Sequence, residues 1–273
     1  MPDRLMRTAL FVPASRPERI PKALAAGADM VIVDLEDAVE AQAKAQARGH
    51  IASFAADHSA EAITVRVNAA STPWFTDDLD LCKDVPAITG IVLAKAESAD
   101  EVRRAAATGK SVIPLLESAQ GIANLAEISR SPGVARLAFG NLDFGLDLGL
   151  DAGSEGAEAV LAHVRSQLVL QSRIAGIGAP LYGVWPDIKD SAGLERAART
   201  AKGMGFSGLL CIHPAQVETV HAVFAASREQ IEWAGRILRK VQEAGEAVFE
   251  MDGEMVDMPV IERARRILRQ ARP

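Results

Sequence analysis

The chain has 273 residues, 49% of them hydrophobic, with 30 Lys+Arg against 36 Asp+Glu. That composition is too apolar and too mixed in sign for a disordered chain, and a net charge of −6 excludes a general nucleic-acid binder, which carries a basic excess. No run approaches the ~18 apolar residues of a membrane helix, so neither nucleic acid nor membrane is an expected partner.

Short β-branched runs alternate with longer Ala-rich stretches. Residues 8–13 read as a buried strand followed by a helix over 19–26, and 30–34 as a strand followed by a helix over 38–56. Then come 63–68 with a helix near 76–83, 90–94 with 99–107, and 111–117 with 122–129. The last units are 134–139 with 156–175, 181–185 with 193–204, and 208–212 with 216–226. The strand runs are continuously apolar and lack period-2 alternation, as in a parallel sheet covered on both faces. Eight such units predict the α/β class and a closed (β/α)8 TIM barrel, with an open doubly wound sheet as the runner-up. No strand is followed by a Gly-rich phosphate loop, which counts against a nucleotide-binding version of that sheet.

The barrel is expected to occupy 1–226, leaving 227–273 as a C-terminal helical extension too short for a second domain. In that extension Arg263, Arg265, Arg266 and Arg269 lie opposite Ile261, Ile267 and Leu268, an amphipathic helix suited to docking onto a neighbour. Met255 and Met258 are expected to pack there. Cys82 and Cys211 have no zinc-motif spacing and are too few for a disulfide framework, so both are expected in the core of a reduced, cytoplasmic protein. Residues 1–7 lead into the first strand with no cleavage site, so no signal peptide is expected. His50, His58, His163 and His221 fall in helical stretches without ligand spacing and are expected at the surface.

In a barrel of this type the chemistry lies at the C-terminal ends of the strands. Polar residues end the runs: Asp34, Glu36 and Asp37, then Arg66 and Asn68, Lys95, Glu117, Asn141 and Asp143, Asp187, and His213. Gathered carboxylates repel one another, and a divalent cation relieves that repulsion. Glu117 and Asp143 come from adjacent strands and could converge on one ion. Two carboxylates with open positions suit Mg²⁺, whereas zinc more often recruits His or Cys. Arg66, inside Val-Arg-Val, must point inward or pair: it is either a barrel-floor ion pair or an oxyanion stabiliser for enolate charge. His213 either stiffens its loop or takes part in the chemistry.

Seven segments occur in order: Phe11-Val-Pro-Ala-Ser-Arg-Pro-Glu-Arg19, Val33-Asp-Leu-Glu-Asp-Ala-Val39, Val65-Arg-Val-Asn68, Leu116-Glu-Ser-Ala-Gln-Gly121, Phe139-Gly-Asn-Leu-Asp143, Cys211-Ile-His-Pro214 and Gly253-Glu-Met-Val-Asp-Met-Pro259. Together they resemble the citrate lyase β-subunit-like (CitE-like) proteins of the HpcH/HpaI aldolase superfamily, with malyl-CoA and citramalyl-CoA lyases, over nearly the whole chain. The resemblance implies a TIM-barrel, Mg²⁺-dependent carbon–carbon lyase with one Mg²⁺ per active site. Carried over by position, Glu117 and Asp143 would ligate the ion, and Glu36 and Asp37 would hold its waters. Arg66 would contact the thioester or enolate oxygen, and the N–H groups around Leu142 and Asp143 would cradle a substrate carboxylate. Arg16, Arg19 and Lys22 are either contacts for CoA phosphates or a solvated helix start.

The implied substrate is a 3-hydroxyacyl-CoA thioester bearing a carboxylate, of citryl-, malyl- or citramalyl-CoA type. Retro-aldol cleavage yields a 2-oxo acid and an acetyl-thioester enolate. Asp257 matches the family's C-terminal Asp that exchanges the proton at the enolate carbon; without the resemblance it reads as a surface carboxylate in an acidic tail. The family's habit makes 227–273 a lid over a neighbouring subunit, hence a homo-oligomer, trimer or hexamer. Trp185 is a departure that could narrow the pocket. Asp37 stands where pyruvate-type class II aldolases carry His, which counts against action on free 2-oxo acids. The same metal and enolate machinery could support CoA-thioester hydrolysis or a malate-synthase-like condensation. The joint presence of Glu117, Asp143, Arg66 and Asp257 argues against a non-catalytic acyl-carrier-binding subunit, which needs none of them.

Overall fold

The computed structural model describes residues 6–244 and 248–270. They form two compact units that divide between Val223 and Phe224.

In the first unit eight parallel strands close into a barrel in sequence order, β8 pairing back onto β1. They are β1 Thr8–Pro13, β2 Met30–Asp34, β3 Ile63–Val67, β4 Ile88–Leu93, β5 Ser111–Leu116, β6 Arg136–Phe139, β7 Gly178–Tyr182 and β8 Gly208–Cys211. Alternation sends one set of side chains inward, where Ala9, Ile32, Val92, Ile113, Leu115, Ala138, Leu181 and Leu210 form one buried cluster. Each large member contributes about 1.5–3 kcal/mol of burial, so the barrel is a packed core with no pore. The helices are α1 Ile20–Ala25, α2 Lys44–Asp57, α3 Phe75–Asp84, α4 Ala99–Ala106, α5 Ala119–Ala123, α6 Leu125–Ser129, α7 Asn141–Asp147, α8 Glu155–Ala175, α9 Ser191–Met204 and α10 Ala215–Phe224. Local signals set their ends: Ser98 and Glu101 form a capping box on α4, and Gly176 closes α8 in the left-handed conformation at φ 69.

Several boundaries differ from expectation. The helix expected from 38 begins as a single 3-10 turn at Ala41–Ala43, because Ala38 N–H is taken by the Asp34 carboxylate at 3.3 Å and Val39 N–H by the Glu36 carbonyl. β7 starts at Gly178 and ends at Tyr182, three residues ahead of the expected end; Gly178 and Pro180, residue types that usually break strands, lie inside it. The helix expected over 122–129 breaks at Asn124, whose side chain turns away to bond the Glu97 carbonyl at 2.7 Å. α7 occupies a stretch between the expected strand 134–139 and helix 156–175 where no element was expected, with Gly145 inside it.

Two histidines expected at the surface are structural. His221 Nε2, on α10, lies 2.9 Å from Thr8 Oγ1 and 3.2 Å from Asp29, which also accepts the Arg7 guanidinium and the Arg7 and Thr8 N–H groups. This knot ties α10 to the N-terminal end of the barrel. His50 Nδ1 donates to the Ala14 carbonyl at 3.0 Å. Cys82 and Cys211 are buried and unpaired, and burial pushes both thiols up to about 12.

The second unit holds α11 Arg228–Ala244, a hairpin of β9 Phe249–Met251 and β10 Glu254–Val256, and α12 Met258–Gln270. The hairpin turns on Asp252 and Gly253, both at positive φ, as a two-residue Asp-Gly turn requires. α12, the amphipathic helix expected to dock onto a neighbour, buries Ile261, Ala264 and Ile267 against Ala234 and Ile237 of α11, with Arg263 over the Trp233 ring. Met255 and Met258, expected to pack, are 73% and 48% exposed because neither faces that core. Among the described residues no helix is long and apolar enough to cross a membrane.

Candidate active site at the barrel mouth

The C-terminal ends of the strands open onto a cavity of about 390 Å³ whose wall includes Asp37, Arg66, Glu117, Leu142 and Asp143. Its charged half begins with strand register. β2 and β3 pair with Asp34 opposite Arg66, both pointing inward, and the guanidinium meets Asp34 side-on through Nε and Nη2, each at 2.6 Å. Nη1 reaches Glu36 at 2.9 Å and Asp37 at 3.3 Å, and the Phe11 ring lies under the guanidinium at 4.9 Å. The ion-pair and cavity roles of Arg66 therefore merge. It is an ion pair, and it sits in the cavity wall.

The loop after β2 is held from both sides. Asp34 accepts the Glu36 N–H at 2.9 Å, and the buried Lys44 ammonium of α2 donates to the Leu35 and Glu36 carbonyls and to Asn68, each at 2.7 Å. Lys95, after β4, sits at φ 48, a left-handed conformation that costs a non-glycine residue about 1–3 kcal/mol. That turn lets its N–H donate to Glu117 at 2.8 Å while its ammonium bonds Glu36 and lies 3.6 Å from Asp143.

Two cations thus face the carboxylates of Asp34, Glu36, Asp37, Glu117 and Asp143. Burial, then the charges of Glu36 and Asp143, push Glu117 up to about 8 despite its contact with Lys95. Burial likewise raises Glu36, with Asp37 adding to it against Arg66 and Lys95. Asp37 is held down, its own burial outweighed by the hydrogen bond with Glu36 and by Arg66 and Lys95. Burial works against both cations too, but the hydrogen bonds to Asp34 and Glu36 respectively keep Arg66 and Lys95 firmly charged.

Glu117 and Asp143 could hold a hard divalent ion: both offer oxygen, and the buried, undercompensated Glu117 carboxylate is where added positive charge relieves most. Among the described residues no group of three or more His, Cys, Asp or Glu stands at metal-binding distance, so such an ion would complete its shell with water and substrate oxygens, as Mg²⁺ does. Gly140 makes room for this: a Cβ there would come within 2.3 Å of Glu117 Oε2. Gly183 does the same for Asn141, whose buried amide oxygen has no hydrogen-bond partner.

Of the residues singled out from sequence, Glu36, Asp37, Arg66, Glu117, Leu142 and Asp143 come together here. Leu142 is 52% exposed, in the first turn of α7, where backbone N–H groups lack intrahelical acceptors. Arg16, Arg19 and Lys22 are exposed and outside the cavity wall, Arg16 pairing with Glu18 at 3.0 Å. Asp257 belongs to the second unit, where its carboxylate accepts the Val260 N–H at 3.4 Å and caps α12. Trp185 does not narrow the cavity: its ring packs at Gly193 on α9, and Val184 supplies the wall. His213 accepts the Ala215 N–H at 3.2 Å, a loop-stiffening role. Asp34 and Lys95 are legible as strand-end residues, but their roles depend on β2–β3 register and on one left-handed φ.

Opposed charges gathered around one cavity at the C-terminal face of a closed barrel define a TIM-barrel enzyme. Residues 7–214 match the family model described as HpcH/HpaI aldolase/citrate lyase, and residues 159–273 match one described as a C–C bond lyase of the TIM-barrel fold. The chain belongs to the HpcH/HpaI aldolase/citrate lyase family, an enzyme family of carbon–carbon lyases. A citrate lyase subunit beta-like protein of Deinococcus radiodurans is 36% identical over 98% of either chain. A (3S)-malyl-CoA thioesterase of Cereibacter sphaeroides is 32% identical over 97% of this chain and 94% of its own. The crystal structure of CitE from Mycobacterium tuberculosis in complex with magnesium, acetoacetate and coenzyme A superposes with a TM-score of 0.86 at 36% identity, covering 98% of this chain and 99% of that one.

Proposed function

We propose that the protein is a Mg²⁺-dependent lyase that cleaves a 3-hydroxy-carboxyacyl-CoA thioester into a 2-oxo acid and acetyl-CoA. The observation that carries this reading is the pairing of Glu117 and Asp143 in one cavity wall with the Arg66 guanidinium. The magnesium and coenzyme A in the Mycobacterium tuberculosis relative support it.

When bound at Glu117 and Asp143, Mg²⁺ supplies Lewis-acid polarisation of substrate oxygens. Arg66, fixed by Asp34, presents positive charge where the thioester oxygen becomes an enolate. Glu36 and Asp37 hold water beside the ion, and the N–H groups of Leu142 and Asp143 seat the substrate carboxylate. Asp257 delivers the proton to the enolate carbon from a C-terminal unit, 227–273, that closes over a neighbouring subunit of a homo-oligomer, trimer or hexamer. Arg16, Arg19 and Lys22 meet the CoA phosphates, and the setting is cytoplasmic. The Cereibacter sphaeroides relative favours a second reading, hydrolysis of the thioester by the same residues.

The test is to strip the protein with EDTA and add citryl-, malyl- and citramalyl-CoA with and without Mg²⁺. Release of a 2-oxo acid that requires Mg²⁺ is expected. No 2-oxo acid from any ester in Mg²⁺ contradicts the lyase reading, and free CoA thiol in its place turns it to hydrolysis.

A further inference from the structure

The cavity has a second, uncharged half. The charged groups of the mouth come from the ends of β2 to β5 or from α7 beyond β6. The remaining arc of the rim, β7, β8 and β1, contributes Val184, Leu210, Ile212 and Phe11 to the cavity, and Leu115 of β5 joins them at the floor. Phe11, Leu115, Val184 and Leu210 belong to, or pack on, the cluster that fills the barrel, so this wall is the exposed top of the core itself. Ile212 stands above them, 39% exposed.

We propose that this wall receives the side chain of the 2-oxo acid fragment. The site would then select an uncharged alkyl substituent, methyl or ethyl, over one ending in a second carboxylate. The inference rests on the lyase reading and deepens it to a substrate class. A second carboxylate placed here leaves water without gaining a cation, which is costly. Arg66 is the one cation among the described residues of the wall; its charge is already shared by Asp34, Glu36 and Asp37, and the lyase reading assigns its remaining donor capacity to the thioester oxygen. The Lys95 ammonium lies on the acidic side, between Glu36 and Asp143. The polar group at the edge of the apolar arc, the Asn141 amide, is neutral. A methyl or ethyl group meets Val184, Leu210 and Ile212 with no such penalty.

The experiment is calorimetric binding of pyruvate, 2-oxobutanoate and oxaloacetate to the full chain at fixed free Mg²⁺. Pyruvate and 2-oxobutanoate are expected to bind more tightly than oxaloacetate, on the order of tenfold or more. Ile212→Lys, at an exposed position that tolerates charge, should shrink or reverse that ratio, with Val184→Lys as the second variant. Oxaloacetate binding as tightly as pyruvate, no binding of any of the three, or an unchanged ratio in a folded lysine variant overturns the inference. The lyase reading fails by a different result, the absence of 2-oxo acid release from every thioester, whichever way the binding ratio falls.

Discussion

Glu117 shows the tension at this site on the scale of one side chain. The residue is 4% exposed, and its carboxylate accepts one backbone N–H and is pressed by Glu36 and Asp143. A group in that position spends folding stability for function, because its charge is desolvated faster than it is compensated. Glu117→Gln is therefore expected to raise the melting temperature of the metal-free protein, by about 2–4 °C for each kcal/mol relieved, and to abolish the further rise on adding Mg²⁺. Thermal unfolding with and without Mg²⁺ measures both; a variant that still gains stability from Mg²⁺ removes Glu117 from the metal site.

At the scale of elements, α2 is the brace of the β2 loop. Lys44 reaches across from α2 to two loop carbonyls and to Asn68, which is itself held by Asp78 at 2.7 Å. Lys44→Met leaves the buried Asn68 amide oxygen without its donor, about 1–3 kcal/mol, and leaves the Leu35 and Glu36 carbonyls with only the Asn68 amide and the Val39 N–H. It should lower melting temperature and turnover together, and full activity in the variant would mean that the loop holds its shape unaided. A second element, α10, is anchored by His221. Burial, with Arg7, depresses the folded-state pKa of His221 below its ordinary 6.5, although Asp29 opposes the shift. A histidine depressed in this way takes up its proton more readily in the unfolded chain. Its contribution is intact above about pH 6.5 and is lost as the pH falls below that value. The drop in melting temperature between pH 7.5 and 5.5 should be smaller in His221→Asn than in the parent, and equal drops would assign the acid sensitivity elsewhere.

These elements also mark what is legible from the chain alone. The strands announce themselves because a parallel barrel buries both faces, and runs such as Met30-Val-Ile-Val can belong to little else. The strand-end carboxylates follow from them, since each stops an apolar run. What escapes is long-range. The Asp34–Arg66 pair needs β2–β3 register, the His221 anchor needs residues from the opposite end of the unit, and the bend at Lys95 needs a φ that no side-chain pattern encodes. β7 and α7 escape for a local reason, because Gly and Pro that usually break elements lie inside these two.

On the scale of the whole molecule, the division near residue 223 separates the barrel residues from Asp257. If Asp257 serves a neighbouring barrel, two inactive proteins carrying Glu117→Gln and Asp257→Ala should regain turnover when their subunits are mixed. Mixtures as inactive as their parents, with subunit exchange verified, would place Asp257 over its own barrel or outside the chemistry.

The most direct measurement is the product balance of one reaction. Mg²⁺-loaded protein is given its best 3-hydroxyacyl-CoA ester, and 2-oxo acid, acetyl-CoA and free CoA thiol are counted together. Carbon–carbon cleavage assisted by Glu117, Asp143 and Arg66 predicts one 2-oxo acid for each acetyl-CoA and no free thiol. Free thiol accumulating with the carbon skeleton intact would contradict it.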